Sequence, residues 1–242
     1  MQRAFADYYH KKKNETDKKF SVFYPFEDNE QGTQLSHFVF VLDGSSSMNN
    51  HWNALEQAYV GFLQRRKKDQ GDEDLFSVVQ FSDRAEIVYE RKYLRDTPLT
   101  IEQLRGGTNY YIALEEAKKV IEADSTKSSV VMIFMSDGQD LSRTDPKAFV
   151  GQLRMTYGTR HNFICHTVAF GDEFAGKDKN AGLLKDMAVA GGGEAYTALT
   201  DDDLKIVFST IAANNTAADA LVKRLSDALA EEISTKIMID FL

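Results

Sequence analysis

His37-Phe-Val-Phe-Val-Leu42, followed at once by Asp43-Gly-Ser-Ser-Ser47, decides how the rest of this chain is read. A nearly continuous apolar run of this length is what a central parallel strand, buried on both faces, requires. The abrupt change to a carboxylate, a glycine and three hydroxyls marks the point where that strand leaves the sheet.

Outward from this strand, apolar runs alternate with amphipathic stretches, the pattern of a sheet covered by helices. A helix is expected from about Asn53 to Gln64, with Leu55, Ala58, Tyr59, Phe62 and Leu63 on one face, and the basic run Arg65–Lys68 suits the negative end of its dipole. Asp74–Phe81 and Ala85–Tyr89 read as strands joined only by Ser82-Asp83-Arg84. So short a connector permits an antiparallel hairpin and forbids a helical crossover. Beyond the segment Leu99–Leu104, helical spacing returns in Tyr111, Leu114, Ala117, Lys118 and Ile121. The strand Ser129–Met135 ends at Ser136-Asp-Gly138. Asp145-Pro146 opens a helix with a capping side chain and a first-turn proline, expected to carry Phe149, Leu153 and Met155. A strand over 163–170, a helix over Leu183–Ala190, a weak strand over Gly193–Thr197 and a helix over Asp201–Ile211 complete the order.

The fold expected is therefore α/β: a Rossmann-like, doubly wound, mostly parallel six-stranded sheet with one antiparallel edge strand and helices on both faces. The 242 residues suit one such domain over 36–213. Residues 1–35 form a polar leader holding the aromatic island Phe20, Val22, Phe23, Tyr24 and Phe26. Residues 214–242 read as a helical extension or linker, with periodicity from Ala217 to Ile233 and an apolar end at Lys236–Leu242, as if joined to a larger multidomain protein.

A formal net charge of -8 argues against nucleic-acid and anionic-membrane binding, which need a basic surface. Cys165 is the only cysteine, so an intrachain disulfide is excluded, and its apolar surroundings suit a small buried strand residue. With no signal-peptide pattern and no apolar stretch of membrane-spanning length, an intracellular location without membrane insertion is expected; an extracellular one fits if the chain is a fragment.

Three clusters of oxygen-bearing side chains sit just beyond strand ends, where open α/β sheets bind ligands. In Asp43-x-Ser45-x-Ser47, alternate side chains on a tight loop can surround a common centre with one carboxylate and two hydroxyls. Thr108 follows Gly106-Gly107, whose glycines let the backbone bring a hydroxyl inward. Asp137 ends a wholly apolar strand, an expensive place for a carboxylate unless it is paired, hydrated or ligated. Two carboxylates near one point repel, and a divalent cation neutralises both. Hard oxygen donors suit Mg²⁺ or Mn²⁺, and Ca²⁺ fits the same chemistry. The opposing reading is that Asp43 and Asp137 cap helices while the serines tie down a loop.

Together, Val41-Leu-Asp-Gly-Ser-Ser-Ser-Met48, Gly106-Gly-Thr-Asn109 and Met135-Ser-Asp-Gly138 resemble the three parts of the metal-ion-dependent adhesion site of von Willebrand factor A-type domains, over roughly residues 37–213. The resemblance implies that Asp43, Ser45, Ser47, Thr108 and Asp137 carry the metal, some through water, and that an Asp or Glu of a protein partner completes its coordination. A non-enzymatic, cation-dependent protein-binding module is the function it implies. The alternatives are an architectural domain of a larger intracellular assembly with metal-independent contacts and, least favoured, a Mg²⁺-dependent hydrolase. The hydrolase lacks a visible nucleophile, general base or phosphate cradle.

The remaining motifs are weaker. Gly191-Gly-Gly193 precedes a strand where a phosphate loop would precede a helix. His37, His51, His161 and His166 have no ligand spacing. Ser45 and Ser47 have no partner histidine in a nucleophile pattern. Asn14-Glu-Thr16 and Asn214-Asn-Thr216 match a short glycosylation pattern without a secretory signal. Trp52 reads as a helix-start packing residue, with a rim contact as its second role.

Overall fold

The computed structural model describes residues 35–126, 128–171 and 179–215. The polar leader, the helix expected over 217–233 and the apolar end over 236–242 lie outside the described residues.

The strand β1 (Ser36–Asp43) is buried along its whole length. Its side chains alternate: Phe38, Phe40 and Leu42 enter one core, Val39 and Val41 the other. The first core is covered by α1 (Trp52–Lys68) and by a helix over residues 201–215, called α5. The second is covered by α2 (Tyr110–Glu122), α3 (Pro146–His161) and α4 (Lys179–Gly191). Phe40 sets its ring edge-on to Tyr59 and Phe62 and stacks on Phe208, so one strand residue locks α1 and α5 to the sheet.

The other strands are β2 (Leu75–Phe81), β3 (Ala85–Tyr93), β4 (Ser129–Ser136), β5 (Ile164–Phe170) and β6 (Gly192–Ala198). They form one six-stranded sheet in the order β3-β2-β1-β4-β5-β6, parallel except for the β2–β3 hairpin at one edge. This is the expected mixed, doubly wound α/β sheet.

Local chemistry ends the helices where expected. Asn109 accepts from the N–H groups of Tyr111 and Ile112 at the start of α2, and Asp145 accepts from Ala148 N–H at the start of α3, with Pro146 in the first turn. Two boundaries and one buried position differ. The helix α1 runs past Gln64, with the basic run Arg65–Lys68 as its last turn. The edge strand β3 continues through Glu90-Arg-Lys92, because an edge tolerates charge and a bulge; Arg91 sits there at φ 47. Met155 is 85% exposed, since the inner face of α3 runs through Val150, Leu153 and Tyr157 and leaves Met155 off that stripe.

Candidate metal centre

β1 lies between β2 and β4, and the chain leaves β1 and β4 toward opposite faces: α1 belongs to one core, α3 to the other. The strand ends therefore part at this point and leave a crevice, the place where doubly wound sheets hold ligands. Asp43 is the last residue of β1, and Asp137 follows the last residue of β4. The loop over 105–108 is tied to the same place, with Arg105 N–H donating to Gly44 C=O at 2.7 Å and Ser46 N–H to Gly106 C=O at 2.9 Å. Gly106, at φ 120, makes that approach possible.

The structure brings all five expected side chains into one neighbourhood. Ser45 Oγ and Ser47 Oγ share a 2.9 Å hydrogen bond, and Ser47 Oγ donates to Asp137 Oδ1 at 2.8 Å. Asp43 accepts from Ser45 N–H at 2.9 Å through Oδ1 and from Ser136 Oγ at 2.5 Å through Oδ2. Thr108 enters through Gly138: a methyl group added at Gly138 would lie 3.5 Å from Thr108 Oγ1 and 3.9 Å from Ser47 Oγ. A side chain at Gly138 would thus lie against both hydroxyls.

Asp43, Ser45 and Thr108 are buried, Asp137 is half-buried and Ser47 is exposed. Burial pushes the Asp43 carboxyl up to about 6, and the charge of Asp137 adds to this, while hydrogen bonds from Ser136 and Ser45 oppose it. A cleft of about 450 Å³ opens above the cluster, lined by Ser47, His51, Thr108, Asp137, Gly138, Gln139, Phe170 and Gly171.

This donor set fits a hard divalent cation. It offers two carboxylates and three hydroxyls, a cradle kept open by Gly138, and an accessible side for a further ligand. Among the described residues, no group of three or more His, Cys, Asp and Glu side chains is arranged to hold a metal ion, so the candidate set depends on its hydroxyls as well as its two carboxylates. The loop-tying contacts of the opposing reading are also present: Ser46 Oγ accepts from Gly106 N–H, and the Asp43 carboxylate holds Ser45 N–H. They leave the Ser45 and Ser47 hydroxyls bonded to each other, with Ser47 and Thr108 lining the cleft.

Comparison with known proteins bears on the fold that carries these residues. The family model for the von Willebrand factor type A domain matches residues 38–139, a span holding all five side chains. The solved structure of proximal thread matrix protein 1 from the mussel byssus, with a zinc-occupied adhesion motif, superimposes at TM-score 0.57 with 21% identity, over 77% of this chain and 46% of that one. The chain carries a von Willebrand factor type A fold. The pilus adhesin SpaC of Lactobacillus rhamnosus GG shares that A-type fold at TM-score 0.60 and 14% identity, over 77% of this chain and 30% of that one. A von Willebrand factor type A protein from Catenulispora acidiphila does so at TM-score 0.58 and 18% identity, over 74% and 42%. The chain spans less than half the length of each of these three solved chains. No curated protein matches it in sequence.

Several residues around this cluster escaped the sequence reading. Ser136 supports Asp43 from β4, Gln103 Nε2 donates to Ser45 C=O at 2.8 Å, and Tyr110 Oη donates to Gly138 C=O at 3.0 Å. A hydroxyl closing the apolar run Ser129–Met135 was a visible signal; the other two contacts depend on tertiary placement. His51 lines the cleft while its Nδ1 meets Asp201 Oδ1 at 2.9 Å. Trp52 Nε1 donates to Ile101 C=O at 2.8 Å, which is the packing role expected of it.

His37 and His166 serve the fold. His37 lies between Ser77 Oγ, 2.8 Å from Nε2, and Asp124 Oδ2, 2.7 Å from Nδ1. That is the connectivity of a hydrolytic triad, but all three residues are fully buried, at the strand ends opposite the cleft. Ser77 Oγ is engaged by Arg91 N–H, so the arrangement pins the β3 bulge. His166 Nδ1 accepts from Glu194 N–H. Gly193 is required by packing, because a methyl there would lie 2.2 Å from Cys165 C=O. Among the described residues no helix is long and apolar enough to cross a membrane.

Proposed function

We propose that this A-type domain is a divalent-cation-dependent protein-binding module that works without catalysis. The observation that supports it best is the convergence of Asp43, Ser45, Ser47, Thr108 and Asp137 at the base of an open cleft. Those five residues would hold the cation, Mg²⁺ by preference for an all-oxygen set, with Mn²⁺ or Ca²⁺ as substitutes. Once bound, the cation supplies a positive centre that accepts a carboxylate oxygen from an Asp or Glu of the partner.

The chain's own residues prepare that contact. Ser136 and the Ser45 N–H hold the Asp43 carboxylate in one orientation, and Gly138 keeps the entrance clear. Burial keeps competing water from Asp43, whereas exposed Ser47 and half-buried Asp137 face the approach. The same contacts support a role without catalysis: Ser45 and Ser47 bond to each other, Ser47 bonds to Asp137, and His51 meets Asp201, so among the described residues neither serine is paired with an imidazole base. The greater length of the solved relatives supports a place within a larger multidomain protein.

Calorimetric titration of Mg²⁺ into the wild-type chain and Asp43→Ala tests the reading. Heat from the wild type that disappears in the variant is expected. Equal heats from both defeat it.

A further inference from the structure

Gln80 is fully buried on β2, and neither its amide nitrogen nor its amide oxygen has a hydrogen-bond partner among the described residues. Along the strand it follows Phe76 and Val78 on the face that enters the α1 core, so its neighbours there are apolar. A buried amide without partners weakens a fold, and an apolar side chain of similar shape would serve the core better. The stability of the sheet gives no reason for it.

Its position gives one. Gln80 pairs with Leu42 in register, and its side chain lies directly against Gly44: a methyl added at Gly44 would be 2.9 Å from both Cγ and Cδ of Gln80 and 3.1 Å from Nε2. Gly44 is the first bend of the loop that carries Asp43, Ser45 and Ser47. Its N–H is anchored to Phe81 C=O at 2.7 Å and its C=O receives Arg105 N–H. The backbone is held from two sides, and the amide of Gln80 supports it on a third. An unpaired polar group beneath a ligand loop, in an otherwise apolar layer, is the kind of local conflict that belongs to function more than to folding.

We infer that Gln80 is a positioning residue for the cation loop. Its amide is the polar support on which the Asp43–Ser47 backbone settles when the five donors close on a cation. The inference rests on the reading of this cluster as a cation site.

The test uses the full chain with Gln80→Met, which keeps length and unbranched shape but removes both polar atoms, and Gln80→Leu as a second variant. Thermal unfolding in EDTA and Mg²⁺ affinity by calorimetry are measured for each. The expected result is a split: unfolding in EDTA at the same or a higher temperature than wild type, with Mg²⁺ affinity reduced about tenfold, the lower end of the effect seen when groups that orient metal ligands are removed. A residue that only supports the fold would move both readings down together, and that outcome, like loss of folding in both variants, overturns the inference. Mg²⁺ affinity within twofold of wild type overturns it as well. A wild-type chain that takes up no Mg²⁺ defeats the cation reading itself, whereas wild-type binding that persists unchanged in Gln80→Met defeats the role of Gln80 alone.

Discussion

Ser136 and Asp43 face each other across the β1–β4 seam, with Ser136 Oγ donating to Asp43 Oδ2 at 2.5 Å. Both residues are fully buried, so this hydroxyl replaces water for one oxygen of a carboxylate that has little other compensation on that side. Ser136→Ala is expected to lower unfolding free energy in EDTA by about 1.5–3 kcal/mol, the range for a hydrogen bond to a charged group. Urea unfolding with and without EDTA measures it. A loss below about 0.5 kcal/mol would show that the Ser136 hydroxyl does not support a charged Asp43 carboxylate.

Cation binding to the folded chain alone must raise its stability. At a Mg²⁺ concentration about a hundred times Kd, the wild-type chain should gain about 2.7 kcal/mol, which corresponds to roughly 5–10 °C in Tm for a domain of this size. Asp137→Ala removes one of the two carboxylates, and no Mg²⁺-dependent shift is expected. Differential scanning calorimetry in EDTA and in Mg²⁺ gives the comparison directly.

The empty volume at Gly138 can be filled without disturbing the sheet. A methyl there would make ordinary contact with Thr108 Oγ1 and Ser47 Oγ, at 3.5 and 3.9 Å. Gly138→Ala should change stability in EDTA by less than about 1 kcal/mol, in line with Gly→Ala at tolerant positions. Its Mg²⁺ affinity should fall about tenfold, because the two hydroxyls can no longer close together. Unchanged affinity would move the cation away from Thr108 and Ser47.

At the opposite strand ends, burial alone would raise the Asp124 pKa, but hydrogen bonds from His37, Thr126 and Ser128 outweigh it and hold the carboxyl well below the ordinary range. A group whose pKa is lower in the folded state stabilises fully above its unfolded value of about 4 and loses that contribution as pH falls below it. Urea midpoints measured from pH 6 to pH 3 in EDTA should therefore decline, and Asp124→Asn should flatten the decline below about pH 4. Parallel curves for the two proteins would assign the acid sensitivity to other carboxylates.

The strands β1, β4 and β5 were legible because long apolar runs bounded by turn residues have few other uses, and the hairpin was legible because three residues cannot carry a crossover. The five oxygen donors were legible because each follows an apolar strand or a pair of glycines. What stayed hidden depended on distance along the chain. His51 meets Asp201 across 150 residues, and Gln103 reaches Ser45 across 58. No periodicity reports such pairs. Gln80 stood visibly in the apolar run Leu75–Phe81, but only strand register sets it against Gly44. Met155 was misplaced because α3 buries a narrow stripe, and adjacent apolar residues on a helix need not share a face.

Trp52 is the only tryptophan in the chain. It opens α1 five residues beyond Ser47, with its indole nitrogen bonded to Ile101 C=O on the segment that also delivers Gln103 to Ser45 C=O. Its ultraviolet emission therefore comes from one identifiable place beside the loop that carries three of the five oxygen donors. The unlabelled protein contains its own optical sensor, and a titration read at a single wavelength can follow the loop as each metal ion is added.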